Sequence, residues 1–217
     1  VQFKGDIAHF SVNSLIVDPA RAFRSDSSYT YNAAYLTLEE FKNILQSLYD
    51  NNYILMDIHD VVVEIENEDG TKSFALNHPA VPKDKTPVIL SFTEANYYSQ
   101  NDGNGFSEKM VLADDGTVQN EYTDAAGNKL TGAYDVVPVV NEFVEQHPDF
   151  SLRGAKGIIS VTGSQGVFGY GIETGGGTIR SIAERLKEDG WSIACGGYSG
   201  AAMDSEMDGD EFIEDME

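Results

Sequence analysis

A chain of 217 residues is long enough to bury one substantial core, and 41% hydrophobic with 11% aromatic residues excludes a disordered polymer. The 14 basic residues stand against 36 acidic ones, a net charge of −22. Such a surface repels phosphate backbones and excludes nucleic acid as a partner; neutral glycans tolerate it, and cationic, de-acetylated glycans are drawn to it. The length fits a single domain over 1–217. No apolar run approaches the ~20 residues of a membrane span. The lone Cys195 closes no intrachain disulfide. No signal-peptide pattern is present, and a start at Val1 rather than Met leaves room for a removed leader or upstream domain.

In chain order, residues 7–12 are expected to form the first strand. TLEEFKNILQSLYDNN opens a helix at Thr37, with Glu40 as its capping-box partner and Phe41, Ile44, Leu45 and Leu48 on one face. Residues 53–56 make a short buried strand. Residues 61–66 and 73–76 flank Asn67-Glu68-Asp69-Gly70 as a hairpin. Val88, Ile89 and Leu90, after Pro87, form a buried parallel strand. Residues 110–112 and 117–122 flank Asp114-Asp115-Gly116 as a second hairpin, and Gly127-Asn128 marks a further turn, so 99–134 is a hairpin insertion.

From Asp135, YDVVPVVNEFVEQHP is a helix with Val136, Val139, Val140 and Phe143 inward, closed by Pro148. Residues 156–162 are a strand, 179–189 an amphipathic helix stopped by Gly190, and 191–195 the next strand. The glycines 175–177 form a flexible loop before that helix; they lack the lysine and the spacing of a phosphate-binding loop. GDEFIEDME starts a last helix.

The stretch KTPVILSFTEANYY places Ser91-Phe92-Thr93-Glu94 at the end of a buried strand, where β/α folds hold their chemistry. It resembles the first motif of the polysaccharide deacetylases, metal-dependent amidases that remove acetyl groups from chitin-like and cell-wall glycans. WSIACGGYSGAAM resembles the family's strand ending in two histidines four residues apart, with Gly196 and Gly200 at those positions. HFSVNSLIVDPARAF resembles the opening strand and loop, with Asn13 where a histidine is common. After GVFGY, where relatives place an arginine, stands Gly171. The likeness runs from about Ile7 to the C-terminus.

The resemblance implies an α/β fold, a distorted and incomplete (β/α) barrel of the glycoside hydrolase/deacetylase type with β-hairpin insertions. About five barrel strands are legible before the chain stops, so a C-terminally truncated or one-side-open barrel is expected. An open edge favours self-association. In the family, one aspartate and two histidines hold a divalent metal such as zinc, a second aspartate is the base, and a late histidine protonates the leaving amine. Here the base position is Thr93 and the ligand positions are Glu94, Gly196 and Gly200. One carboxylate without imidazoles leaves a metal mostly to water, so no cofactor is expected.

Tyr97, Tyr98, Tyr170 and Tyr198, with Phe168 and Asn13, are candidates for stacking on or bonding to sugars, set against ordinary core or rim packing. Cys195 is a substitute metal ligand or a nucleophile or, more simply, a small buried apolar residue. Among the histidines, His59 has the best placement for the barrel mouth. His9 and His59 otherwise suit packing or hydrogen bonding, His78 lies in a loop before Pro79, and His147 suits a helix end. Asp204, Glu206, Asp208, Gly209, Asp210 and Asp215 partly imitate a calcium loop, but the glycine-rich chain before them favours the start of a solvated helix. The reading is thus a deacetylase-like, metal-free and catalytically impaired domain, retaining at most binding of a polysaccharide or cell-wall glycan, extracellular or on the cell surface. The alternatives are an active deacetylase using ligands such as Glu94, Cys195 and His59, or a structural interaction module.

Overall fold

The structure, a computed structural model, describes residues 1–93, 95–164, 166–200 and 207–216. The first third carries β1 (Ala8–Val12), α1 (Pro19–Ala22), α2 (Ser28–Ala34), α3 (Leu38–Asp50), β2 (Tyr53–Leu55), β3 (Val62–Glu66) and β4 (Lys72–Leu76). The middle carries β5 (Thr86–Phe92), β6 (Lys109–Leu112), β7 (Val118–Thr123), β8 (Lys129–Gly132) and α4 (Val136–Gln146). Last come β9 (Gly157–Val161), α5 (Ile172–Glu188), β10 (Trp191–Cys195) and α6 (Gly209–Met216).

β5 is the middle of a five-stranded sheet in which every pairing is parallel. β1 lies along one flank, from Ala8↔Val88 to Val12↔Phe92. The other flank is shared between β2, beside residues 86–88, and β9, beside 91–92. β10 follows β9 from Trp191↔Gly157 to Cys195↔Val161. The sheet is open: among the described residues no pairing closes β10 onto β1. A mixed α/β fold with a parallel central sheet is what these residues build.

Alternation along the strands decides the two faces. Val88, Leu90 and Phe92 of β5, with Ile159 and Trp191, pack against Phe41 and Leu45 of α3, Val140 and Val144 of α4, and Ile182 and Leu186 of α5. On the opposite face a smaller cluster around Met56, Val61, Val81 and Ile89 covers part of the sheet. The rest of that face carries small polar groups, among them Ser91, Ser160 and Ser192, none fully buried, and an exposed His9.

Local sequence explains most elements. The Thr37–Glu40 capping box is formed on both sides. β3 and β4 pair antiparallel across residues 67–70, and β6, β7 and β8 make an antiparallel sheet. That insertion is no appendage, since Met110 and Val118 enter the main core and Met110 N donates to Phe168 O at 3.1 Å.

One expectation is corrected, and two short helices are added. α5 begins at Ile172, so the glycines 175–177 are helical and not a loop. The helix is anchored by Ile182 and Leu186, fully buried in the core, and Gly175 packs where a Cβ would stand 2.6 Å from Tyr170 Cβ. α1 and α2 were not foreseen; Asp18 caps the first with Pro19 leading it, and Tyr31 of the second joins Ile16, Ala22 and Phe106 in a satellite core.

Candidate functional site

Parallel strands bring their C-terminal ends to one edge of the sheet, and the chemistry-bearing positions follow them there. Asn13 succeeds β1, Thr93 succeeds β5, Thr162 succeeds β9 and Gly196 succeeds β10. Thr93 Oγ1 donates to Asn13 Oδ1 at 2.7 Å, and Asn13 Nδ2 donates to Ala34 O at 3.1 Å. Thr93 N donates to Val12 O at 3.0 Å, which fixes the two strand ends side by side. Glu94 lies outside the described residues. A Cβ at Gly196 would stand 2.7 Å from Ser160 Oγ and 3.3 Å from Thr162 Cγ2. Gly200, at φ +72°, would place one 3.2 Å from the same methyl. Both glycines therefore lean on Thr162, whose own hydroxyl is buried with no hydrogen-bond partner among the described residues.

The residue that organises this edge was missed by sequence reasoning. Asn96, 1% exposed, donates from Nδ2 to Thr162 O at 2.8 Å and to Gly166 O, while its Oδ1 accepts from Thr162 N at 3.1 Å. Phe168 N and Gly169 N add bonds to Ala95 O and Asn96 O, both 3.0 Å. The loop after β5 is thereby clamped to the loop after β9. No local pattern announces such a side chain, because its partners are 66 and 70 residues away.

Tyr97 turns inward at φ +58° and belongs to the core. Its hydroxyl accepts from Asn120 Nδ2 at 2.9 Å and bonds to Asp135. Burial, and then the charge of Asp135, push the phenol well above its usual range. Asp135 is fully buried and also accepts from Leu15 N at 3.0 Å and Val136 N at 2.8 Å.

The remaining aromatics do not share one mouth. Phe168 is buried, Tyr98 and Tyr170 are half-buried, and Tyr198 is exposed. Tyr198 lines a mostly apolar cleft of about 380 Å³ with Val161, Val167, Ile193 and Cys195. Tyr97 and Tyr170 border another, of about 480 Å³, built largely from the 99–134 insertion. Cys195 is exposed, a correction to the buried role expected of it: it is the last residue of β10 and lines the open cleft beside Tyr198.

His59 is also displaced from expectation. Its Nδ1 lies 2.6 Å from Asp57 Oδ1, and Asp57 Oδ2 accepts from Ser192 Oγ at 3.0 Å, near the start of β10 and away from Cys195 at its end. Burial opposes the charge of Asp57, but hydrogen bonds from His59 and Ser192 outweigh it and hold the carboxyl below its usual range. His9 Nε2 meets Ser91 Oγ at 2.7 Å, and His147 stacks on Tyr49 and Phe143 at 4.3 and 4.7 Å. In the tail, Asp208 caps α6 through bonds to Asp210 N and Glu211 N, both 3.0 Å; Asp204 and Glu206 lie outside the described residues.

Among the described residues no three His, Cys, Asp or Glu side chains are placed to hold a metal ion. Apart from Glu94, which lies outside the described residues, the expected positions offer a hydroxyl at Thr93 and no side-chain donor at Gly196 or Gly200. No helix among the described residues is long and apolar enough to cross a membrane. No protein family, curated protein or solved structure was found to match the chain.

Proposed function

We propose that this chain is a polysaccharide-deacetylase-like module, one wall of an incomplete (β/α) barrel, that binds a polysaccharide or cell-wall glycan outside the cell without hydrolysing it. The observation that carries the reading is that Asn13 and Thr93 bond to each other after β1 and β5, while Gly196 and Gly200 crowd Thr162 after β9 and offer no side chain to a metal. Catalysis of amide hydrolysis needs a base and a Lewis acid or its equivalent at that edge. A threonine already donating its proton to Asn13 at 2.7 Å is neither. The barrel reading draws support from the distribution of cover: α3, α4 and α5 all pack on one face, as on the outside of a barrel, while the other face is covered by no α-helix of the core, only in part by the cluster around Met56 and Ile89, and otherwise bears serines. A doubly wound sheet would bury both.

The test is incubation of the protein with N-acetylated chitotetraose, with and without zinc, following acetate release and calorimetric binding. The expected result is binding with no acetate above the blank. Release that zinc promotes and EDTA abolishes would select the active-deacetylase reading instead. Neither binding nor release, across acetylated and free-amine oligosaccharides, would leave a structural interaction module.

A further inference from the structure

We propose that the cleft between the 99–134 insertion and the loop entering α5 binds a glycan residue bearing a free amine, with Asp102 and Glu108 taking the ammonium and Tyr170 lying against the sugar ring. This rests on the glycan-binding reading and names both the place and the ligand class. The cleft, about 480 Å³, has the size of a small-molecule site.

Its charges are unevenly satisfied. Glu121, on the inner wall, is held by Lys129 at 2.7 Å and Lys109 at 3.2 Å. Glu108 has only the same Lys129 at 3.9 Å, and Asp102 enters no ion pair among the described residues. Two ammoniums thus serve three carboxylates around one cavity, and the two short of a partner are Asp102 and Glu108. Partial burial, and then the charge of Glu108, raise the carboxyl of the largely exposed Asp102 above its usual range.

The wall itself accepts positive charge. Lys109 Nζ lies 5.7 Å from the centroid of the Tyr170 ring, within cation–π reach. A pyranose offers that ring its apolar C–H face. Around it, Ser99, the lysine ammoniums and Glu121 supply donors and acceptors for hydroxyl groups. An N-acetyl group would bring no charge to Asp102 and Glu108, whereas a free amine neutralises the pair. The net charge of −22 adds long-range attraction for such a ligand.

Calorimetry with fully de-N-acetylated chitotetraose, its N-acetylated counterpart and spermidine tests the assignment. The intact protein is expected to bind the free-amine tetramer about tenfold tighter than the acetylated one. Glu108→Gln, Asp102→Asn and Tyr170→Ala, each with unchanged circular dichroism, should weaken it by about five- to tenfold, and spermidine should be indifferent to Tyr170→Ala. The proposal is overturned if the Asp102→Asn/Glu108→Gln pair leaves the affinity unchanged, if the acetylated tetramer binds as well, or if spermidine matches the tetramer in every variant. Tetramer binding that Thr93→Ala and Asn13→Ala abolish, and the cleft variants do not, would sink this cleft and leave the glycan-binding reading standing. No binding of either tetramer would sink both.

Discussion

Asp135→Ala should be among the most damaging single substitutions in this chain. The carboxylate is fully buried, caps α4 through Val136 N, fixes the loop after β1 through Leu15 N, and bonds to the Tyr97 hydroxyl. Alanine would leave two amides and a phenol without an acceptor in the core. A stranded buried group costs about 1–3 kcal/mol, and relaxation around the helix start recovers part of the sum, so the loss should be about 3–5 kcal/mol. Against a total stability of about 5–15 kcal/mol this is a large fraction. Tyr97→Phe removes only one member and should cost about 1–2 kcal/mol, with the double variant falling short of additivity by about 1 kcal/mol. Urea unfolding gives the measurement directly, since Trp191 is the only tryptophan and is 2% exposed, so its emission reports the core. A loss below about 1 kcal/mol for Asp135→Ala with an unchanged m value, or strict additivity with Tyr97→Phe, would refute the network.

Three further outcomes are expected. Gly176→Ala and Gly177→Ala, which meet nothing within 4 Å, should each stabilise α5 by about 0.5–1 kcal/mol in thermal or urea unfolding, whereas Gly175→Ala should destabilise by collision with Tyr170. Thr93→Asp with Gly196→His and Gly200→His should not give a zinc site: positive φ at Gly200 and the crowding of Thr162 oppose both imidazoles, and a zinc-binding variant with native circular dichroism, measured by chelator competition, would contradict this. Hydrogen bonding from Lys129, then Lys109, holds Glu121 below its ordinary 4.5, so its contribution is present above that value and lost as pH falls through the folded pKa. Glu121→Gln should therefore cost about 1 kcal/mol at pH 7 and little at pH 3, and an equal cost at both would refute the assignment.

Local chemistry was legible in the sequence, and distant chemistry was not. The capping box at Thr37 and the Asp/Gly turns at residues 67–70 and 114–116 are decided within a few residues, and each appears where the pattern puts it. The glycines of α5 misled because their low helix propensity is overruled by the packing of the helix's apolar face, Ile182 and Leu186, which only the fold brings into the core. α1 and α2 are too short to display an apolar period. Asn96 and Asp135 act on partners as far as 70 and 120 residues away, a separation no window of sequence spans. At the candidate site, alignment of strand ends made Asn13 and Thr93 neighbours, a relation that register carries, while the division of the tyrosines between two clefts depends on where the loop after β9 turns.

β10 places the chain's only tryptophan at one end and its only cysteine at the other, the first buried and the second open. Four residues of extended strand separate them by about 13 Å. An acceptor dye attached to Cys195 would therefore sit at a fixed short distance from a native donor, with no engineered label site needed. Cys195 also borders the ground on which α6 rests, where Tyr198 N donates to Asp215 O at 2.7 Å and Ser199 N to its side chain at 2.8 Å. Polarity-sensitive emission from the same dye would register departure of the last helix. The chain thus holds, in five consecutive residues, a buried emitter in its core and an open attachment point beside its C-terminal helix.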